Sequence, residues 1–447
     1  MIFKRCCSLH RFGFCVALSC ALLAFISHSP EKLTLLIFAG LMAAMFVFYA
    51  LAYRSMGQAT TISATTVFAW AVLFRCLGFL GDPIFEDDYF RYLWDGYRFA
   101  SAGMPYGKPP EAFFNDPTIP IEFQNILSRI NHPDIPTIYA PTLQYFFLIA
   151  HWLAPGHLWS IKLLLIAVDL GLIAALFRLA GAQRTLLYAW NPLVIKEIAF
   201  TAHPDSLIPA LLIGCWMAGS KNKQGTAGLL LALAVATKAS AGLIAPFMLL
   251  NIGRLGTLVF LAGTILLYLP FWIQGASDIT GLGVFAQQFE FNSAFYGLLT
   301  LWMSPFWAKT LLGFVLLALS GAYFIHYWRS NCRSLPHGEC LFGLLLLVSP
   351  VINPWYLLWL LPFACCYFEL SLWIASAAVL LSYATGLNLE HSELSPYEHP
   401  VWVRPVEFGT IGLVFLADKW RRLSHLLRDC ANRCLHELSR RKIADDF

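Results

Sequence analysis

Apolar runs near the roughly 20 residues that a transmembrane helix needs recur along the chain at 12–29, 33–52, 62–81, 158–180, 185–201, 204–219, 256–273, 305–328, 370–388 and 401–418. Two further stretches are interrupted. The run 225–252 is broken by Lys238 and reads as two short spans meeting at that lysine. Residues 340–353 and 355–368 form a second short pair, broken at Ser349-Pro350 and Asn353-Pro354. Tyr139 to Ala154 is short and begins with Ala140-Pro141, so it predicts a helix that lies at the membrane interface or re-enters from it. The pattern gives about fourteen crossings, or twelve to thirteen if one short pair is a re-entrant hairpin. No internal duplication suggests a two-half transporter.

The one long polar segment, 82–137, carries nine Asp/Glu against four Lys/Arg. With the basic N-terminus (Lys4, Arg5, Arg11) and Arg54 in the cytoplasm, the third span delivers this loop to the opposite side. If 139–154 does not cross, the next span returns Arg178 and Arg184 to the cytoplasm, as the positive-inside rule wants. Lys221, Lys223, Arg254, Arg329 and Arg333 then follow suit. The N-terminal run also fits a cleaved signal peptide, but the second run from Leu33 and the orientation argument favour an uncleaved first span. Three regions result: two N-terminal spans (1–61), a transmembrane region (62–418, with extracytoplasmic loop and interfacial helices at 82–157), and a basic cytoplasmic tail (419–447). The tail resembles an amphipathic helix facing anionic lipid.

Composition agrees. The 447 residues are 58% apolar and 13% charged, which excludes an ordinary soluble protein. A net charge of +4, placed at helix ends and in the tail, is topology information and not a nucleic-acid footprint. None of the twelve cysteines falls in 82–137, 274–304 or 389–400, so they read as small hydrophobes and not as a disulfide framework.

Under this topology Asp87, Asp88, Arg91, Asn131, His132, Tyr139, Gln144, His203, Asp205, Lys238, Asn353 and Tyr356 converge on the outer face. Asp87, Arg91 and Asp95 share one helical face, with Asp88 beside Tyr92 one step round. That is either a solvated helix with an i,i+4 ion pair or a carboxylate pair in which each raises the other's pKa, poising one as a general base. His203-Pro204-Asp205 either caps a helix or serves a site, and its two-residue spacing does not suffice for a metal claim. Lys238 either snorkels or binds a phosphate at the interface as a point charge. The Ser349 to Tyr356 block is a proline kink whose freed backbone groups can line a cavity.

These residues resemble the GT-C superfamily of integral-membrane glycosyltransferases, in particular its bacterial polyprenyl-phosphate-mannose-dependent mannosyltransferases. The resemblance rests on Asp87-Asp88-Tyr89-Phe90-Arg91-Tyr92-Leu93-Trp94-Asp95-Gly96 with Ala102-Gly103-Met104-Pro105-Tyr106, and on Asn131-His132-Pro133 through Tyr139-Ala140-Pro141. Asn191-Pro192 with His203 and Asp205, and the 349–356 block, extend it. It covers roughly residues 60–370 and implies an all-α fold of GT-C architecture in the bacterial inner membrane, with its site on the extracytoplasmic side. It implies inverting transfer of a sugar, mannose by family, from a polyprenyl-phosphate donor to a hydroxyl of a lipid or glycan. Asp87 would be the general base, with Asp88 positioning it or sharing the role. Arg91, Lys238 and His203 would hold the donor phosphate. Asn131, His132, Tyr139, Gln144, Asp205, Asn353 and Tyr356 would contact substrate. Tyr139-Ala140-Pro141 departs from the family's Tyr-Pro-Pro, and Asn353 stands where a histidine is common. The catalytic loop follows the third span here and not the first, so the two N-terminal spans read as an addition. No cofactor is read from the sequence, and a divalent metal stays open. The competing readings are a transporter or flippase of lipid-linked sugars, which would show mid-membrane charges and paired repeats, and a non-catalytic scaffold.

Overall fold

The computed structural model describes residues 2–56, 63–390 and 393–421. The part of the basic tail from Arg422 onward lies outside them. The described chain is all helical apart from an isolated bridge between Phe291 and Val351. It opens with α1 (Ile2–Ser27), α2 (Leu35–Met56) and α3 (Ala64–Leu80). These pack by small-residue contact: a side chain at Gly13 would meet the Trp70 ring within 2.6 Å. Cys20 Sγ donates to the Phe74 carbonyl, and Tyr49 donates to the Leu187 carbonyl further along the chain. The two N-terminal helices are thus packed into the bundle. The cysteines whose side chains are described, from Cys15 to Cys366, are free thiols.

Two helices then lie at the head of the bundle. Helix α4 (Tyr89–Ala102) starts at Asp88 and stops at Gly103, whose left-handed backbone (φ 67°) closes the last turn. After the short α5 (Ile121–Leu127), α6 (Pro141–Leu153) packs against α4, with the rings of Tyr92 and Phe147 stacked at 4.9 Å. At 13 residues, α6 is about 20 Å long. That is shorter than the roughly 30 Å hydrocarbon core of a bilayer. Gly96 permits the close approach: a Cβ there would stand 2.6 Å from the Phe147 carbonyl oxygen.

The bundle continues with α7 (Leu158–Ala189), turned at Gly181 (φ 75°), and the short α8 (Pro192–Ile195), which runs into a π-turn over Lys196–Phe200. The chain then bends by 112° into the apolar run that contains α9 (Leu207–Ser220). Helices α10 (Gln224–Val235) and α11 (Ala245–Ile273, broken at Gly253) are separated at Lys238, where the charge interrupted the apolar pattern. Helices α12 (Ile279–Gln288), α13 (Phe295–Leu299), α14 (Pro305–Arg329), α15 (Gly338–Val348), α16 (Leu361–Cys366) and α17 (Leu370–Ala378) follow. Helix α18, residues 403–421, ends the described chain.

This is an integral membrane protein. Five helices are each long and apolar enough to cross a bilayer: 8–27, α2, α7, α11 and α14. The remaining predicted spans are present as shorter apolar helices or as pieces bent at proline, glycine and lysine. The continuous helices expose apolar side chains such as Leu258, Leu266, Phe314 and Leu317. Inside the bundle, Arg75 of α3 and Asp169 of α7 form a fully buried ion pair at 2.8 Å, with the Tyr188 hydroxyl donating to the other Asp169 oxygen. The breaks fall where backbone groups must find partners other than the helix itself, and most of them open toward one end of the bundle. At the other end, Arg184 donates to the Cys366 carbonyl and Trp216 to that of Arg333.

Replacing Gly96 with Ala overpacks the α4–α6 contact and is expected to cost about 1–3 kcal/mol. Thermal unfolding of the detergent-solubilised protein measures it; an unchanged melting temperature would refute the close contact.

Candidate active site

A cavity of about 460 Å³ opens at the head of the bundle, where the breaks meet. Of the residues singled out from the sequence, Asp88, Arg91, Asn131, His132, Tyr139, Asp205, Lys238, Asn353 and Tyr356 line it. Three do not. Asp87 is not part of the lining, though it hydrogen-bonds Asn131, which is. His203 and Gln144 are fully buried behind the wall. A direct phosphate contact, expected of His203, has no surface from which to be made.

Asp88 occupies the N-cap of α4 without using its side chain as a cap. Its carboxylate, 31% exposed, is left to face the cavity. Burial raises its pKa above the ordinary aspartate value, Asp205 adds to the rise, and His203 and Lys238 oppose it. Asp87 is pushed up to about 6, by burial first and by the neighbouring Asp88 second. Glu86 is raised well above the usual range, chiefly by burial, with Lys196 opposing. Three successive carboxyl groups thus titrate late, because each is partly dry and sits beside the next.

Opposite them lies Lys238. Its Nζ is 3.0 Å from Asp205 Oδ1 and sits over the rings of Tyr356 (4.3 Å) and Trp359 (4.8 Å). Asp205 also accepts from Trp359 Nε1 at 2.6 Å. The lysine is therefore held by a carboxylate and two aromatic faces while still lining the cavity, a placement that suits an anion entering from above. Arg91 is more committed. Its Nε donates to Asp95 at 3.1 Å and a terminal nitrogen donates to the Ile135 carbonyl at 2.9 Å. Asp95 in turn accepts from Thr137 and Gln144, and Gln144 also donates to the Tyr139 carbonyl. Gln144 therefore braces the loop that carries Tyr139.

The rim is aromatic. His132 packs against Phe289 and Tyr397, and Tyr397 accepts from Asn131 at 2.7 Å. Phe85, His132 and Ala202 adopt left-handed backbone (φ 58°, 50° and 62°) although none is glycine. Such conformations cost of order 1–3 kcal/mol each and gather at functional sites.

The buried wall contains groups that sequence reading did not assemble. Glu197, Lys196 and Tyr383 form a cluster in which Tyr383 donates to Glu197 Oε1 at 2.9 Å and Lys196 stands 3.2 Å from the same oxygen. Trp355 stacks on the His203 ring at 3.9 Å. The π-turn at 196–200, a feature enriched at functional sites, brings Glu197 and His203 together. No periodicity in the sequence signals such a turn. Among the described residues, one group could gather a metal ion: His337, Glu339 and Cys340, at the opposite end from the cavity, with ligand atoms within 4.8 Å of one another. In the cavity, Asp205 is already paired with Lys238.

Comparison with known proteins agrees with this architecture. The MptA_B family, described as alpha-(1->6)-mannopyranosyltransferase, N-terminal domain, matches residues 16–254, just over half of the chain. The match spans the carboxylate motif, His203, Asp205 and Lys238. No curated protein and no solved structure matches.

The raised pKa of Asp87 carries a sign. A carboxyl that binds its proton more tightly in the folded state contributes stability below its unfolded pKa and loses it as pH rises through about 6. Asp87→Asn is therefore expected to stabilise the protein at pH 7.5, by about 1–2 kcal/mol after allowance for partial exposure, and to be neutral near pH 4. Melting temperatures at the two pH values test this, and equal effects at both would contradict it.

Proposed function

The chain belongs to the MptA_B family of alpha-(1->6)-mannopyranosyltransferases, and from that premise we propose that it transfers mannose from a polyprenyl-phosphate donor to a hydroxyl of a glycan or lipid. The proposed place is the extracytoplasmic face of a bacterial inner membrane. The observation that carries this reading is the pairing within one cavity of a late-titrating carboxylate, Asp88, and a fixed cation, Lys238. Glycosyl transfer needs both: a base for the incoming hydroxyl and a positive partner for the departing phosphate.

In this reading Asp88 takes the hydroxyl proton as the acceptor oxygen attacks the anomeric carbon. The carbon–oxygen bond to the phosphate breaks with its electron pair going to the phosphate. Lys238 stabilises that charge as a point cation, and Arg91 adds to the field while bracing the loop through Asp95 and Ile135. Asp87 was the first choice for the base on sequence grounds. We now assign the base to Asp88, since it lines the cavity, and give Asp87 the lesser role of raising its neighbour's proton affinity. Asn131, His132, Tyr139, Asn353 and Tyr356 would contact the sugar and acceptor, with Asp205 holding Lys238. A single displacement inverts the anomeric centre, so an α-linked product requires a donor whose phosphate is β-linked. The basic residues at the far end of the bundle fit a cytoplasmic location and support the extracytoplasmic site.

In membranes supplied with radiolabelled polyprenyl-phosphate mannose, Asp88→Asn is expected to lower transfer about 10²-fold or more. Asp87→Asn should lower it less and move the acidic limb of the rate–pH profile. Wild-type transfer by Asp88→Asn would remove the base. A topology reporter fused after Asn115 should read outside the cytoplasm, and a cytoplasmic signal would overturn the assignment of sides.

A further inference from the structure

The buried wall behind Asp88 contains a histidine that the proposed transfer does not yet use. His203 Nδ1 lies 2.8 Å from Glu197 Oε2. A carboxylate there selects the tautomer in which Nδ1 carries the hydrogen and donates it, leaving the lone pair on Nε2. Nε2 is buried with no hydrogen-bond partner among the described residues, and it faces Asp88 Oδ2 at 3.9 Å. A lone pair aimed at a carboxyl oxygen in a dry pocket is placed to accept that carboxyl's proton once it has one. An unpartnered buried nitrogen is destabilising in a purely structural role.

The surroundings hold this histidine in one orientation. Trp355 covers one ring face at 3.9 Å, with only 9° between the planes. The charged and titratable groups facing the couple are Lys196 and Tyr383, bound to Glu197, and Asp205 and Lys238 beyond Asp88, with Glu86 and His132 on the cavity wall. Tyr383 donates to Glu197 Oε1, and Lys196 spans both carboxylate oxygens, so Oε2 is shared between the lysine and the imidazole.

Resting on the mannosyl transfer proposed above, we infer that Glu197 and His203 form a proton-holding couple behind Asp88, with His203 Nε2 receiving the proton that Asp88 takes from the acceptor hydroxyl. The steps balance. The hydroxyl proton passes to Asp88 as the glycosidic bond forms and the bond to phosphate breaks. An approach of about 1 Å then brings Asp88 and Nε2 to hydrogen-bond distance, and the proton moves to the imidazole. The resulting imidazolium lies between the Asp88 and Glu197 carboxylates, and Asp88 is again a free base. His203 and Glu197 act as positioning residues, since neither lines the cavity that would hold substrate.

The test uses full-length protein in membranes with radiolabelled polyprenyl-phosphate mannose, and initial rates measured from pH 5 to 9. His203→Asn keeps a donor near Nδ1 for Glu197 and removes Nε2; His203→Gln keeps a nitrogen near Nε2 that cannot take a proton. Both are expected to lower kcat at least tenfold at neutral pH, with the donor KM changed less than about twofold. The acidic limb should shift from its wild-type position, because Asp88 loses the imidazole that takes its proton. Part of the rate should return at high pH. Glu197→Gln should move the limb in the same direction by less. A wild-type limb and kcat in any variant that accumulates as folded protein, judged by its melting temperature, would overturn the couple. So would a loss that is equal at all pH values and resides in KM. Wild-type membranes that transfer no mannose would sink the reaction itself, whereas an active wild type with insensitive variants sinks only the couple.

Discussion

The contact between Lys238 and Asp205 organises the head of this molecule. A lysine that interrupts an apolar run is costly beside hydrocarbon, and at 3.0 Å from a nearly buried carboxylate it is neutralised in place. The two partners come from separate breaks in the helical bundle, the α10–α11 junction and the bend after the π-turn. Trp359, from the 3₁₀ turn after Pro354, adds a third by donating to the same oxygen. One ion pair thus gathers three interruptions at one end of the bundle. Removing either partner would leave the other charge buried and alone, the situation in which a charge pair matters most.

Around that fastening the protein holds features that ordinary folding would avoid. Glu86, Asp87 and Asp88 follow one another at the start of α4, and each has a pKa above its ordinary value. Phe85, His132 and Ala202 sit in left-handed backbone. Such local conflict persists only where the rest of the structure overrules it. Here the opposing stability comes from tightly packed helices: α4 on α6 at Gly96, and α10 on α11, where a Cβ at Gly228 would come within 2.1 Å of the Gly256 carbonyl oxygen. The two ends of the bundle also differ in charge. Carboxylates crowd the cavity, and Arg184, Arg333 and Lys419 lie at the far end.

Much of this could be read along the chain. The apolar runs and their polar breaks marked an all-α membrane protein. Ala140-Pro141 and the short run behind it marked α6 as a short helix of its own, and Lys238 and the two Ser/Asn-Pro pairs marked places where helices divide. Nine of the twelve residues picked out for the outer face line a single cavity. The reason is the solvent: hydrocarbon tolerates so few polar groups that those present are concentrated where helices end or break. Span counting carried less far, since a short apolar helix of 10–17 residues and half of a broken span leave the same trace in hydropathy.

Order along the chain and the cost of charge in lipid were enough to determine the class of the fold and the neighbourhood of most residues of the candidate site. Only the tertiary structure decided which member of a neighbouring pair faces inward. Asp87 and Asp88 are adjacent in sequence, yet the first turn of α4 sends the second into the cavity and leaves the first beside Asn131. It alone decided that Gln144 braces a loop, that His203 is sealed beneath Trp355, and that Glu197 meets it across a π-turn. A sequence pattern carries the period of a regular helix, whereas these contacts depend on where that period fails and on what the bend brings together.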